Sequence, residues 1–210
     1  MKFLLVSGGE VFDYNFFKKT VDTYNPDFTI AIDKGANYLD HIGMEANLLI
    51  GDLDSVDIKL KQKYENKILK LKVEKDDTDT AVALDYALNN GAKEVLILQG
   101  VGSRFDHTFG NILILKRALD RNIKCTLINE QNEIRMHKES FVLENMTGST
   151  VSFFALDNDV NITLKGFYYP LNNYILNKYD PIAISNKVIL ELAEVIFDNG
   201  NLLSVVSKDK

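Results

Sequence analysis

Four turns in this 210-residue chain carry residue types that could do chemistry. They are Asp33-Lys34-Gly35-Ala36, Gly51-Asp52-Leu53-Asp54-Ser55, Glu74-Lys75-Asp76-Asp77-Thr78-Asp79 and Gly100-Val101-Gly102-Ser103-Arg104-Phe105-Asp106-His107. Taken singly, an Asp-rich turn reads as a turn or a helix cap, because those sites select short polar side chains. Several carboxylates gathered at one place repel one another unless cations neutralise them. The available donors are oxygens, with no cysteine or histidine cluster, and hard oxygen ligands suit Mg²⁺ or Mn²⁺ rather than zinc. In an extended segment residues i and i+2 point the same way. Asp52 and Asp54 would then face one ion while Leu53 turns to the core. Asp76 and Asp79 bracket a helix start, with Thr78 or Asp77 as its cap. Phosphate bridged to such an ion would meet the positive end of that helix. Gly100 to Arg104 offers backbone N–H groups and a guanidinium that can grip phosphate with two bonds. Phe105 fills the third glycine place of a dinucleotide fingerprint, and no Walker lysine motif occurs. Asp106 reads equally well as the N-cap of the next helix, and His107 as a filler of its first turn. His41 and His137 lack any such setting and read as surface or linker residues.

These turns need elements to position them. Strand-like runs at Phe3–Val6, Phe28–Ile32, Asn47–Ile50, Ile68–Lys72, Glu94–Leu98 and Ile123–Ile128 alternate with helix-like segments. The helix-like segments are Tyr14–Tyr24, Ala36–His41, Val56–Tyr64, Thr78–Asn89 and Asp106–Arg121. Such alternation predicts an α/β fold, a mostly parallel sheet with flanking helices. Ligands of open parallel sheets bind outside the carboxyl ends of the strands, and each polar turn follows a strand. Beyond Glu130 the pattern changes to short strand-like runs at Val142–Leu143, Thr150–Ala155, Asn161–Leu164, Val188–Ala193 and Leu202–Val206. Asn, Asp and Gly separate them, which predicts an antiparallel all-β sandwich. The expected domains are residues 1–130 and 131–210, with the boundary at Glu130-Gln131-Asn132-Glu133.

Composition narrows the function class. The chain is 46% hydrophobic and 26% charged, enough for a packed core. A formal charge of −6 argues against a nucleic-acid binder, which would show a basic footprint. The single cysteine, Cys125, sits in an apolar run and reads as a buried thiol. No apolar run is long enough to span a membrane, and the N-terminal run is too short for a secretion signal. The expectation is a soluble cytoplasmic protein with no membrane partner.

Taken in order, the motifs resemble the thiamine pyrophosphokinase family. That family shows Asp-Gly-Gly-Ala, Gly-Asp-(Phe/Leu)-Asp-Ser, Lys-Asp-x-Thr-Asp, then Arg-x-Asp-His with a following Asn, and a late Ser-Asn pair. The matching residues are Asp33-Lys34-Gly35-Ala36, Gly51 to Ser55, Lys75 to Asp79, Arg104 to His107 with Asn111, and Ser185-Asn186. Lys34 departs from the pattern and stands where the family usually has Gly. The resemblance implies an α/β domain followed by a β-sandwich. It implies ATP as co-substrate, with Mg²⁺ held by Asp52, Asp54, Asp76 and Asp79. Asp33, Lys34, Thr78, Arg104, His107 and Asn111 would contact ATP. The thiamine hydroxyl would attack the β-phosphorus and AMP would leave, with Arg104 assisting and Asp79 or Asp106 taking the proton. It further implies a homodimer in which Ser185 and Asn186 hydrogen-bond the aminopyrimidine of thiamine. Phe167-Tyr168-Tyr169 would pack near the ligand or within the core.

Two other classes remain open on sequence. A metal-dependent phosphoesterase would also use Asp52-Leu53-Asp54 and Asp106-His107, although Thr108 and the scarcity of histidines speak against it. A non-catalytic nucleotide or vitamin binder would share the same strands, but an anion binder gains nothing from so many carboxylates without a metal.

Overall fold

The computed structural model describes residues 1–70 and 77–208, in two compact units, Met1–Glu130 and Gln131–Lys210. The first unit is built on six strands: β1 (Lys2–Val6), β2 (Phe28–Ile32), β3 (Leu48–Gly51), β4 (Ile68–Lys70), β5 (Glu94–Leu98) and β6 (Lys124–Ile128). They pair in parallel in the order β6-β5-β1-β2-β3-β4. Sequences such as KFLLV and EVLIL are apolar nearly throughout because strands of a covered parallel sheet are buried on both faces. Leu4, Val6, Phe17, Leu39, Leu49 and Leu98 form the core. Flanking helices are α1 (Tyr14–Tyr24), α2 (Gly35–His41), α3 (Ile58–Lys63), α4 (Asp79–Asn89) and α5 (Phe105–Asp120). The chain runs outward from β1 to β4 and then returns to the other side of β1 through β5. That reversal between β1 and β5 makes the crevice at which such sheets take ligands.

Four helix starts differ from expectation: α2 begins at Gly35 rather than Ala36, α4 at Asp79 rather than Thr78, and α3 and α5 are displaced as well. Helix α3 begins at Ile58, because Val56 is buried and its N–H closes a turn on the Leu53 carbonyl. Helix α5 begins at Phe105, so Arg104 holds the cap position and Asp106 lies inside the first turn. The strand expected over Ile68–Lys72 is seen as Ile68–Lys70; Leu71 and Lys72 lie outside the described residues.

The second unit holds β7 (Asn132–His137), β8 (Phe141–Glu144), β9 (Thr150–Ala155), β10 (Val160–Lys165), β11 (Leu171–Leu176), β12 (Asn186–Lys187), β13 (Leu192–Asp198) and β14 (Leu202–Ser207). Strands β12-β9-β14-β7 pair antiparallel in that order, as do β11-β10-β13-β8. Val151, Phe153, Ile162, Leu164, Val195 and Leu202 share one core, which makes the unit a β-sandwich. Strand β7 occupies what reads in sequence as a boundary. Strand β11 is absent from the expected runs and carries the pair Asn172-Asn173. A register shift in β10 between Ile162 and Leu164 and a φ of 47° at Asn173 absorb that pair within the ladder. Of the run Val188–Ala193, only Leu192 and Ala193 enter β13, while Val188 bridges to Phe167. His137 is no linker residue. It lies in β7, its ring stacked on Phe141 at 3.8 Å and its Nε2 2.8 Å from Ser204 Oγ.

Candidate active site

The carboxyl ends of β1, β2 and β5 open into a cleft of about 960 Å³ at the strand reversal. Ser7, Gly8 and Gly9 follow β1 on its wall, and Asp33 and Lys34 follow β2. Here two loops approach so closely that a side chain would not fit. Gly9 N–H donates to the Gln99 carbonyl at 2.9 Å, and a Cβ on Gly9 would stand 2.3 Å from that oxygen. The loop after β1 is tied from behind by Glu130. Its Oε1 accepts from the N–H groups of Phe12 (3.0 Å) and Asp13 (3.2 Å) and from Gln99 Nε2 (2.8 Å).

Asp33 is the pivot between two turns. It adopts φ 45°, and its Oδ1 accepts the Leu53 N–H at 3.2 Å. Gly51, at φ 145°, lies against this carboxylate so tightly that a Cβ would fall 1.7 Å from Asp33 Oδ1. The segment after β3 is therefore a turn and not extended chain. Leu53 is buried but left-handed, at φ 70°. The alternation that would aim Asp52 and Asp54 at one ion does not apply to it. Asp52 Oδ1 instead accepts the Asp54 N–H at 3.0 Å. Asp54 is exposed, and Ser55 rather than either aspartate lines the cleft.

The start of α4 faces the cleft through Asp77, Thr78, Asp79 and Thr80. Thr78 is the cap, its Oγ1 accepting the Ala81 N–H at 3.2 Å. Asp77 is held elsewhere: Arg117 of α5 binds both its oxygens, at 2.7 and 3.1 Å. Hydrogen bonding to that guanidinium holds the Asp77 carboxyl below the usual carboxylate range. Asp76, expected as a metal ligand, lies outside the described residues.

On the opposite wall, Gly100, Gly102, Ser103, Arg104, His107 and Asn111 line the cleft. Asn111 is buried and its Nδ2 donates to the Gly100 carbonyl at 2.7 Å, so it anchors the glycine loop. Thr108 Oγ1 braces the same loop at Gly102. Arg104 pairs with Asp106 through Nη2 at 2.5 Å and Nε at 3.2 Å. That hydrogen bond lowers the Asp106 carboxyl and weakens it as a base, and Asp106 lies outside the lining of the cleft. Lys34 is exposed, with Nζ 5.5 Å from the centre of the Tyr38 ring.

In the second unit Ser185 is exposed, at φ 56°, with its N–H on Ser152 Oγ at 3.0 Å. Asn186 is buried. Its Oδ1 accepts from the N–H groups of Tyr169 and Lys187, and its Nδ2 donates to the Tyr169 carbonyl at 2.7 Å. Asn186 thus clamps the Tyr168-Tyr169 turn instead of presenting its amide outward. Phe167 is core, whereas Tyr168 and Tyr169 are 64% and 61% exposed and meet edge to face. Ile182, Ile184, Ile189 and Leu190 add exposed apolar surface on either side of Ser185. Among the described residues, no three Asp, Glu, His or Cys side chains stand ready to hold a metal.

The cleft therefore brings together Asp33, Lys34, Thr78, Asp79, Arg104, His107 and Asn111, and leaves Asp52, Asp54 and Asp106 outside its lining. Sequence reasoning did not find the Glu130 tie, the Thr108 brace or the Arg117 pair. The Ser7-Gly8-Gly9 step after β1 was the available signal for the first wall.

Comparison with known proteins gives the same result from both units. The family described as Thiamin pyrophosphokinase, catalytic domain, matches residues 22–127, and Thiamin pyrophosphokinase, vitamin B1 binding domain, matches residues 131–202. The protein named Thiamine pyrophosphokinase from Bacillus subtilis (strain 168) is 34% identical over 186 residues, 86% of this chain and 87% of that one. The crystal structure of thiamine pyrophosphokinase from Bacillus subtilis superposes with a TM-score of 0.86 at 29% identity, covering both chains fully. That of thiamin pyrophosphokinase from Geobacillus thermodenitrificans gives 0.85 at 26% identity, over 100% of this chain and 99% of the other.

Proposed function

Because the chain belongs to the thiamin pyrophosphokinase family, we propose that the cleft between β1 and β5 is where it binds ATP with Mg²⁺ and transfers diphosphate. The reaction moves diphosphate from ATP to the thiamine hydroxyl, giving thiamine diphosphate and AMP. The observation that carries the site assignment is the meeting of four separate turns, at Gly9, Asp33, Thr78 and Gly102, around one cleft at the strand reversal. The donor chemistry fits Mg²⁺. Asp33 and Asp79 line the cleft, and Mg²⁺ bound with a nucleotide takes few protein carboxylates and completes its sphere with phosphate oxygens and water. Asp79 and Asp76 are proposed to hold the ion, with Asp52 and Asp54 next to Asp33 completing the acidic edge. When bound, Mg²⁺ supplies charge neutralisation on the transferring phosphates.

The protein's own part is positioning. The Ser103 backbone N–H, the α4 N-terminus at Thr78, and the Arg104 and Lys34 side chains together offer donors for phosphate oxygens, while Thr108 Oγ1 occupies the Gly102 N–H and fixes the loop. His107 borders the same wall. Asp79 is proposed to take the hydroxyl proton of thiamine, since it lines the cleft and Asp106 does not. In-line attack on the β-phosphorus follows if the hydroxyl is held opposite the AMP leaving group.

Thiamine is proposed to sit in a homodimer, between the first unit of one subunit and the second unit of its partner. Ser185 would hydrogen-bond the aminopyrimidine and Tyr168 or Tyr169 would cover the ring. The exposed Phe105, Phe109 and Leu113 of α5, and the exposed isoleucines around Ser185, are apolar surfaces suited to such an interface. Sedimentation should give the mass of two chains, and one chain at micromolar concentration would remove this arrangement. Among the described residues no helix is long and apolar enough to cross a membrane. A cytoplasmic location fits an enzyme that consumes ATP, and cell fractionation checks it. Replacing Asp79 by Asn should leave the melting temperature near wild type and lower kcat about 100-fold or more. A variant that keeps its rate would remove Asp79 from the mechanism.

A further inference from the structure

Arg117 lies on α5, well along the helix from the cleft-facing residues Arg104, His107 and Asn111. Its guanidinium makes three bonds to two carboxylates. Two go to Asp77, 40 residues away in sequence, and Nη1 also reaches Asp85 Oδ2 at 2.6 Å. Asp77 stands just before the α4 cap, and Asp85 lies in the body of α4. One planar fork therefore ties the chain entering the helix to the helix itself and to α5. Arg121 repeats the α5–α4 link one turn on, with Nη1 2.8 Å from Asn89 Oδ1. Asp77 also borders the cleft, and the next three residues, Thr78, Asp79 and Thr80, all face it.

We infer that Arg117 is a positioning residue for nucleotide binding, which clamps Asp77 so that Thr78 and Asp79 meet the phosphates of ATP. The inference rests on the function proposed above. It also gives Asp77 its role: both oxygens are turned to the guanidinium, so this carboxylate acts as a tether and not as a metal ligand. Arg117, Asp77 and Asp85 are each more than a third exposed, so the pairs add little to global stability. Their effect falls on the geometry of the α4 entrance. Lysine keeps the charge but cannot reproduce a planar fork spanning two carboxylates.

The test uses the full chain, with calorimetric titration of ATP in Mg²⁺ and steady-state kinetics with thiamine. Arg117→Met should weaken ATP binding and raise the KM for ATP about tenfold, as small misplacements near a reacting group do. The KM for thiamine should stay within about twofold, and the melting temperature should change little. Asp77→Asn should match it, the double variant should be no worse than either single one, and Arg117→Lys should fall between. Unchanged ATP affinity in folded Arg117→Met, equal rises in both KM values, or multiplied losses in the double variant would overturn the clamp. Should Arg117→Met fail to fold, Asp77→Asn and Asp85→Asn each remove one arm and carry the same comparison. Calorimetry separates the two claims. A wild type that binds ATP but makes no thiamine diphosphate contradicts the function while the variants still read the clamp. A wild type without ATP affinity overturns both.

Discussion

Asp33 shows how little of a carboxylate's role its identity reveals. The motif Asp33-Lys34-Gly35-Ala36 marks it as functional, yet its Oδ1 is also the acceptor that shapes the turn after β3. Gly51 is required there both by its φ of 145° and by the missing Cβ. The acidic residues were legible as types, but their directions were not, because Leu53 takes a left-handed conformation that spacing alone does not announce. Asn186 teaches the same lesson. It looked like a ligand contact and proves to fix Tyr168-Tyr169 through its amide. Ser185, exposed beside that turn, is the proposed contact to thiamine. Ser185→Ala should raise the KM for thiamine about three- to tenfold, the worth of one hydrogen bond, with the KM for ATP unchanged. Equal effects on both substrates would place the thiamine site elsewhere.

At the scale of elements, continuous apolar runs made the parallel strands readable, since burial on both faces writes itself into composition. Strand β7 was hidden because its first residues fall in the polar stretch Glu130-Gln131-Asn132-Glu133, and β11 because Asn172-Asn173 interrupts its apolar pattern. The helix caps were half legible: Thr78 caps α4, but Arg104 rather than Asp106 precedes α5 because the Asp106 side chain goes to the guanidinium. Burial in β7 has a consequence for stability. His137 is enclosed by Phe141 of β8, Ser204 of β14 and Arg135 of its own strand. Burial, with the Arg135 charge, lowers its pKa from 6.5 to about 4. Between these values the unfolded chain binds the proton and the folded chain does not. Stability contributed by neutral His137 is complete above pH 6.5 and is lost as pH falls toward 4, by an amount on the order of 2–3 kcal/mol. Thermal melts should therefore show a shallower decline over this window in His137→Gln than in wild type. Parallel declines would mean that the imidazole titrates normally in the fold.

For the molecule as a whole, the sequence marks a change of character near residue 130, and the two compact units divide between Glu130 and Gln131. What spacing could not supply was the convergence of turns far apart in the chain. That depends on β5 pairing with β1 and not with β4, which brings Gln99 and Val101 against Gly9. The strand reversal turns a list of motifs into one cleft, and the proposed chemistry needs that cleft to hold ATP so that its β-phosphorus, not its γ-phosphorus, is attacked. Phosphorus NMR of the protein with ATP, Mg²⁺ and thiamine reads this directly. The predicted result is AMP appearing in step with thiamine diphosphate. ADP accompanied by a monophosphate product, or ATP consumed without thiamine, would contradict it.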